Sequence, residues 1–187
     1  MLVSRELEPR PGDRVLDLCA APGAKTTHLA ALTGGASDGF VAVEVHPGRA
    51  RSLAATCERM GCGFVRVVCA DGREPLDAGV FDRVLVDPPC SGLGTLQSRP
   101  DLRWQARRGE IAQLVHKQSA LLAAGAAATA PGGVLVYSVC TISRAEGDGV
   151  VDELVSRMPE FNVEQRRQLM PHRDGTDGFF IARLRRT

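Results

Sequence analysis

At 187 residues with 44% hydrophobic composition, the chain fits one ordinary domain whose core needs no disulfide or metal staples, so a second domain is not required. The formal net charge of +1 neither supports nor excludes a polyanionic partner, since a local basic face can sit on a neutral protein. Six cysteines without a C-x-x-C pair or neighbouring histidine pairs argue against a zinc site or any other metal, and the lack of a leader-like start or span-length apolar run predicts a soluble, cytoplasmic protein with free thiols.

In chain order, apolar runs at Val15–Cys19, Phe40–Val45, Phe64–Cys69, Val80–Val86 and Val134–Tyr137 lack the polar alternation of a half-wet sheet and predict buried parallel strands. Helical patterns separate them at 25–33, 47–60, 111–130 and 145–157. The third is rich in Ala and Leu, which predicts packing on the sheet, and Pro131-Gly132-Gly133 reads as its stop signal. Ahead of that helix, 91–110 follows neither period and reads as a substrate-facing loop carrying Trp104 and four arginines, Arg99, Arg103, Arg107 and Arg108. Phe161–Gln165 and Gly178–Leu184 predict two further strands, antiparallel to a neighbour because Asp174–Gly178 is a turn signal. The class is α/β: a doubly wound, mostly parallel sheet with an antiparallel C-terminal strand.

Such sheets carry their reactive groups just beyond the carboxyl ends of their strands. There the first strand runs into Cys19-Ala20-Ala21-Pro22-Gly23-Ala24-Lys25, which is neither the G-x-G-x-x-G of dinucleotide folds nor a P-loop. It does bring an acid at the strand end, small side chains that let a ligand approach the backbone, and a helix N-terminus, a combination that suits an adenosyl amino acid. Glu44, at the next strand end, is placed to accept hydrogen bonds from ribose hydroxyls, and Asp71 to face an adenine edge. Each acid alone also reads as an ordinary loop carboxylate. Cys90 and Cys140 end two apolar runs and would face the same crevice, which suggests covalent chemistry.

The runs Leu16–Thr27, His46–Arg49, Asp71–Arg73, Asp87–Gly94 with Arg99–Trp104, Tyr137–Thr141 and Asp177–Phe180 together resemble the successive motifs of the Sun (Fmu) family of RNA cytosine-5 methyltransferases. The resemblance implies a Rossmann-like class I methyltransferase fold. It also implies S-adenosylmethionine as methyl donor, held by Cys19, Ala20, Ala21, Pro22, Gly23, Ala24, Lys25, Glu44, Asp71 and Asp87 with Arg49 in support. The implied acceptor is a cytidine in RNA, most often ribosomal. Carbon 5 of cytosine is a poor nucleophile, so a thiolate first adds at carbon 6. By resemblance Cys140 is that nucleophile, Cys90 assists breakdown of the adduct, and Asp87 hydrogen-bonds or protonates ring nitrogen 3. The base must leave its stack to reach them, and Pro88 and Pro89 would stiffen the receiving loop.

Ala24 stands where the family usually has glycine, Glu44 where aspartate is commoner, Val139 where threonine is usual, and Gly147-Asp148 where Asn-Glu tends to follow the glutamate. Only Met1–Asp13 precede the first motif, where family members carry an RNA-recognition region; the expectation is a single catalytic domain over 1–187 that takes RNA contacts from a separate domain or protein. Two other readings stay open: an amino-group methyltransferase, because Asp87-Pro88-Pro89 also begins an Asp-Pro-Pro-Tyr motif, and a non-catalytic RNA-binding module. Cys57, Cys62 and Cys69 read as packing residues. Trp104 reads equally as core and as a base contact. The loop arginines, with Lys117, Arg183, Arg185 and Arg186, read as a solvated face or as phosphate contacts.

Overall fold

The computed structural model describes residues 2–35, 39–104 and 108–187, with the side chain of residue 108 left out. Seven strands, β1 (Val15–Leu18), β2 (Phe40–Glu44), β3 (Arg66–Cys69), β4 (Phe81–Val86), β5 (Thr129–Val139), β6 (Phe161–Leu169) and β7 (Phe179–Arg186), form one sheet in the order β3-β2-β1-β4-β5-β7-β6. The first five run parallel, and β7 inserts antiparallel to both β5 and β6. The chain builds outward from β1 on one side and then crosses to β4 on the other, so the topological switch point lies between β1 and β4.

The continuous apolar runs arise because both sheet faces are covered. Leu16, Leu18, Val84, Val86, Leu135 and Tyr137 point to one face, against α4 (Arg108–Ala128) and α5 (Asp148–Arg157). Their strand neighbours Val15, Leu85, Val134 and Val136 point to the other, against α1 (Leu2–Glu6), α2 (Ala24–Leu32) and α3 (Pro47–Arg59). Val3 and Leu7 join this second core, giving a short helix to a stretch the sequence left as a lead-in. Among the described residues no helix is long and apolar enough to cross a membrane.

Four expectations are corrected. The Phe64–Cys69 run is not a buried strand: β3 is the sheet edge, partly exposed along its length, and Cys69 is an exposed thiol rather than a packing residue. Pro131-Gly132-Gly133 does not stop α4, which ends at Ala128. The triplet bulges out within β5, where pairing jumps from Phe81↔Thr129 to Arg83↔Val134 and Gly132 takes a φ of 77°. The presumed loop 91–110 holds a one-turn 3-10 helix at Pro100–Trp104 and the first residues of α4. The strand expected at Phe161–Gln165 continues to Leu169.

Candidate active site

The turn after β1 is shaped by backbone. Cys19 has a φ of 64° and Gly23 one of 108°, and Gly23 donates its N–H to Ala20 at 2.9 Å. A Cβ on Gly23 would lie 2.9 Å from Leu53, so strain and space both require glycine there. Ala24 needs no such freedom, because it is already the first residue of α2. Behind the turn, Asp17 is buried and accepts a 2.7 Å hydrogen bond from the Thr26 hydroxyl through Oδ2, while Oδ1 has no partner among the described residues. Burial pushes its pKa up to about 7. Burial, reinforced by Asp17, also pushes the Cys19 thiol up to about 12, which makes it a wall residue rather than a nucleophile.

Glu44 ends β2 almost fully buried, accepting the His46 N–H at 2.9 Å, with the Arg49 guanidinium 3.6 Å away. Arg49 also donates to the Ala21 carbonyl at 2.7 Å, tying the first turn to the second. Asp71 is paired with Arg73 at 2.6 Å, and the hydrogen bonds from that arginine hold its carboxyl down to about 2. These groups border a crevice of about 580 Å³ at the switch point, with Cys19, Ala21 and Pro22 on one wall. Ala20, Gly23, Ala24 and Lys25 do not line it.

The far end of the crevice is built from β4 and β5. Asp87, just after β4, accepts from Lys25 Nζ at 2.7 Å and from the Ser138 hydroxyl at 2.6 Å, which orients both of its oxygens. Cys90 and Cys140 bring their sulfurs to 3.2 Å. The bond from Cys90 and the nearby Lys25 ammonium lower the Cys140 pKa below the ordinary thiol value, whereas the same contact and burial raise that of Cys90. Cys140 is therefore the thiol biased toward thiolate, and Cys90 the one that keeps its proton. Arg99 and Lys117 also line the crevice.

Trp104 is 78% exposed with the Arg103 guanidinium over its ring, so it is not core. Arg107 lies outside the described residues, as does the side chain of Arg108. The C-terminal arginines are not a free solvated face. Arg183 and Arg185 both pair with Glu164, and Arg186 donates to the Thr129 carbonyl. The sequence reading missed Ser138, Ser91, Gln118, Thr141 and above all Glu146, whose fully buried carboxylate lies between the two thiol-bearing loops. In sequence Glu146 shows only as the glutamate that precedes Gly147-Asp148 in the family pattern and as the end of Ser143-x-x-Glu146, which reads as a helix cap; neither assigns it a role.

The chain matches the model of the 16S rRNA methyltransferase RsmB/F family over residues 4–185. It is 38% identical to the ribosomal RNA small subunit methyltransferase B of Thermus thermophilus, covering 100% of this chain and 48% of that protein. It is 36% identical to the protein of the same name from Photorhabdus laumondii, covering 95% and 43%. Among solved structures, NSun6 from Pyrococcus horikoshii with SFG superposes with a TM-score of 0.90 at 33% identity, covering 99% of this chain and 50% of that one. The chain thus spans about half the length of the curated relatives it matches.

Proposed function

The chain belongs to the 16S rRNA methyltransferase RsmB/F family, and on that premise we propose that it methylates carbon 5 of a cytidine in ribosomal RNA, with S-adenosylmethionine as donor. The observation that carries the reading is the pair of sulfurs at 3.2 Å beside Asp87, at one end of a crevice of about 580 Å³. An amino-group methyltransferase has no use for two thiols there.

The residues present fit the donor. The volume falls within the roughly 300–1,000 Å³ usual for ligand pockets. Glu44 lies at the strand end where ribose hydroxyls would need an acceptor, and Asp17, buried behind the turn that forms one wall, holds that turn by accepting from Thr26 in the first turn of α2. When bound, S-adenosylmethionine supplies an electrophilic methyl group on a sulfonium.

The remaining chemistry falls to the chain itself. Cys140, the more acidic thiol, adds to carbon 6 and makes carbon 5 an enamine-like nucleophile. Asp87, oriented by Lys25 and Ser138, holds or supplies a proton at ring nitrogen 3 and so stabilises the charge that develops on addition. After methyl transfer the proton on carbon 5 leaves to a solvent base and the bond from Cys140 to carbon 6 breaks, restoring the ring, and Cys90 beside Cys140 assists that elimination. We further propose that RNA affinity draws on a separate recognition domain or protein in addition to Arg99 and Lys117. Free thiols and a ribosomal RNA substrate both suit the cytoplasm.

Incubation with RNA containing 5-fluorocytidine tests the reading, because fluorine at carbon 5 blocks the elimination. A denaturant-resistant protein–RNA adduct is expected. Methylation of an exocyclic nitrogen, or RNA binding alone, would leave no adduct and overturn the proposal.

A further inference from the structure

Glu146 is fully buried and does not line the crevice. Its Oε1 accepts the Ser91 N–H at 2.8 Å and Gln118 Nε2 at 3.0 Å. Its Oε2 accepts the Ser91 hydroxyl at 2.6 Å and the Thr141 hydroxyl at 3.1 Å. Gln118 shares the same amide nitrogen with the Pro89 carbonyl at 2.9 Å. On the backbone side, the Glu146 carbonyl accepts the Tyr137 hydroxyl at 2.7 Å. One carboxylate and its amide partner therefore grip the residues on both sides of Cys90 and the residue that follows Cys140.

A buried charge is costly unless its acceptor capacity is filled, and here each oxygen takes two donors. Neutral groups would fill the same space at a lower desolvation cost, but they would not hold two loops some fifty positions apart through charge-assisted bonds. The distance that this grip controls is the one between the sulfurs.

We propose that Glu146 is the positioning residue of the thiol pair, setting the approach of Cys90 to Cys140 so that the Cys90 S–H donates to the Cys140 sulfur. The proposal deepens the reading of these thiols as a reactive pair and rests on it. The charged groups facing Cys140 are Lys25, which favours its thiolate, and Asp87, which opposes it, while Glu146 acts on Cys90.

The test is iodoacetamide labelling of the whole chain across a pH series, with each cysteine-containing peptide quantified by mass spectrometry. It needs neither RNA nor methyl donor, so it can fail while the 5-fluorocytidine trap succeeds, and the reverse. Glu146→Gln is expected to slow Cys140 labelling near neutral pH about tenfold, as a one-unit rise in its pKa would. The exposed Cys69 thiol serves as an unchanged internal control. Ser91→Ala, which removes one of the four donors, is expected to shift Cys140 in the same direction by less. In a Cys90→Ala background, Glu146→Gln is expected to have no further effect on Cys140. An unchanged Cys140 profile in folded Glu146→Gln and Ser91→Ala proteins would reduce Glu146 to a structural residue. An equal shift in the Cys90→Ala background would show that it does not act through Cys90. If Glu146→Gln fails to fold, Ser91→Ala decides: a shift supports the proposal and none overturns it.

Discussion

The crevice has two halves that are held together differently. In the half formed by β1, β2 and β3, the carboxylates find partners close by in sequence: Asp17 with Thr26 nine residues on, Glu44 with His46 two residues on, and Asp71 with Arg73 two residues on. Arg49, reaching Ala21 across 28 residues, is the longer tie. In the half formed by β4 and β5, partners are remote: Cys90 and Cys140 are 50 residues apart, Asp87 and Ser138 51, Ser91 and Glu146 55, and Lys25 and Asp87 62. The first half is therefore a set of local turns, robust to what happens elsewhere. The second exists only if the sheet is in register: Val86 pairs with Tyr137, so that Cys90, four residues past one, meets Cys140, three residues past the other. A slip of one residue would turn every side chain on β4 to the opposite face.

Exchanging the thiols one at a time should have the largest effect, and only on the half formed by β4 and β5. Cys140→Ala should lower methyl transfer by at least about a thousandfold, in line with the loss of a nucleophile, and should abolish the 5-fluorocytidine adduct. Cys90→Ala should instead let an adduct with ordinary RNA accumulate, visible as a denaturant-resistant band. In both variants, stabilisation by S-adenosylmethionine in thermal unfolding should persist, because the other half is untouched. The opposite assignment of the two phenotypes would make Cys90 the nucleophile.

Asp17→Asn disturbs the other half and has a definite sign. The folded-state pKa of about 7 lies above the ordinary aspartate value of 3.8, so burial favours the neutral form. That contribution is complete below 3.8 and is lost as pH rises through 7, where the ionised carboxylate is buried with one oxygen lacking a partner among the described residues. Asparagine keeps the acceptor for Thr26 and never ionises. The variant should therefore gain stability over the parent as pH rises through that window, by an amount on the order of 4 kcal/mol at most. Denaturant melts at acidic and alkaline pH measure it, and an advantage that shrinks with pH would contradict the burial argument. Thermal stabilisation by S-adenosylmethionine should fall in the same variant, a trade of stability against function.

The smallest effect belongs to the rim, outside both halves. Trp104 is 78% exposed, so Trp104→Ala should change unfolding free energy by no more than about 0.5 kcal/mol. RNA affinity measured by filter binding should nevertheless drop, because an exposed indole with Arg103 over it is a stacking platform. A large stability loss with unchanged RNA binding would place Trp104 back in the core.

Why some features were legible and others not follows from the same contrast. The turn after β1 announces itself in Cys19–Lys25, because small residues and a glycine forced to a φ of 108° leave a short, continuous signature. The parallel strands were legible because two covered faces produce unbroken apolar runs. β3 misled, since a sequence of valines does not say that a strand lies at the edge. Pro131-Gly132-Gly133 looks the same whether it ends a helix or bulges from a strand. Glu146 resembles an ordinary helix-capping carboxylate until Ser91 and Gln118 are seen to converge on it.

The parallel α/β order, the cofactor-type turn and two thiols just past strand ends were thus readable from the sequence alone, because each depends on residues within a few positions of one another. Only the tertiary structure decided which thiol carries the lower pKa, that Asp71 is paired with Arg73 and Asp87 held by Lys25 and Ser138, and that a buried glutamate grips both thiol loops. Proton affinities and hydrogen-bond partners are set by burial and by neighbours far along the chain, and those exist only once the register of β4 against β5 has closed.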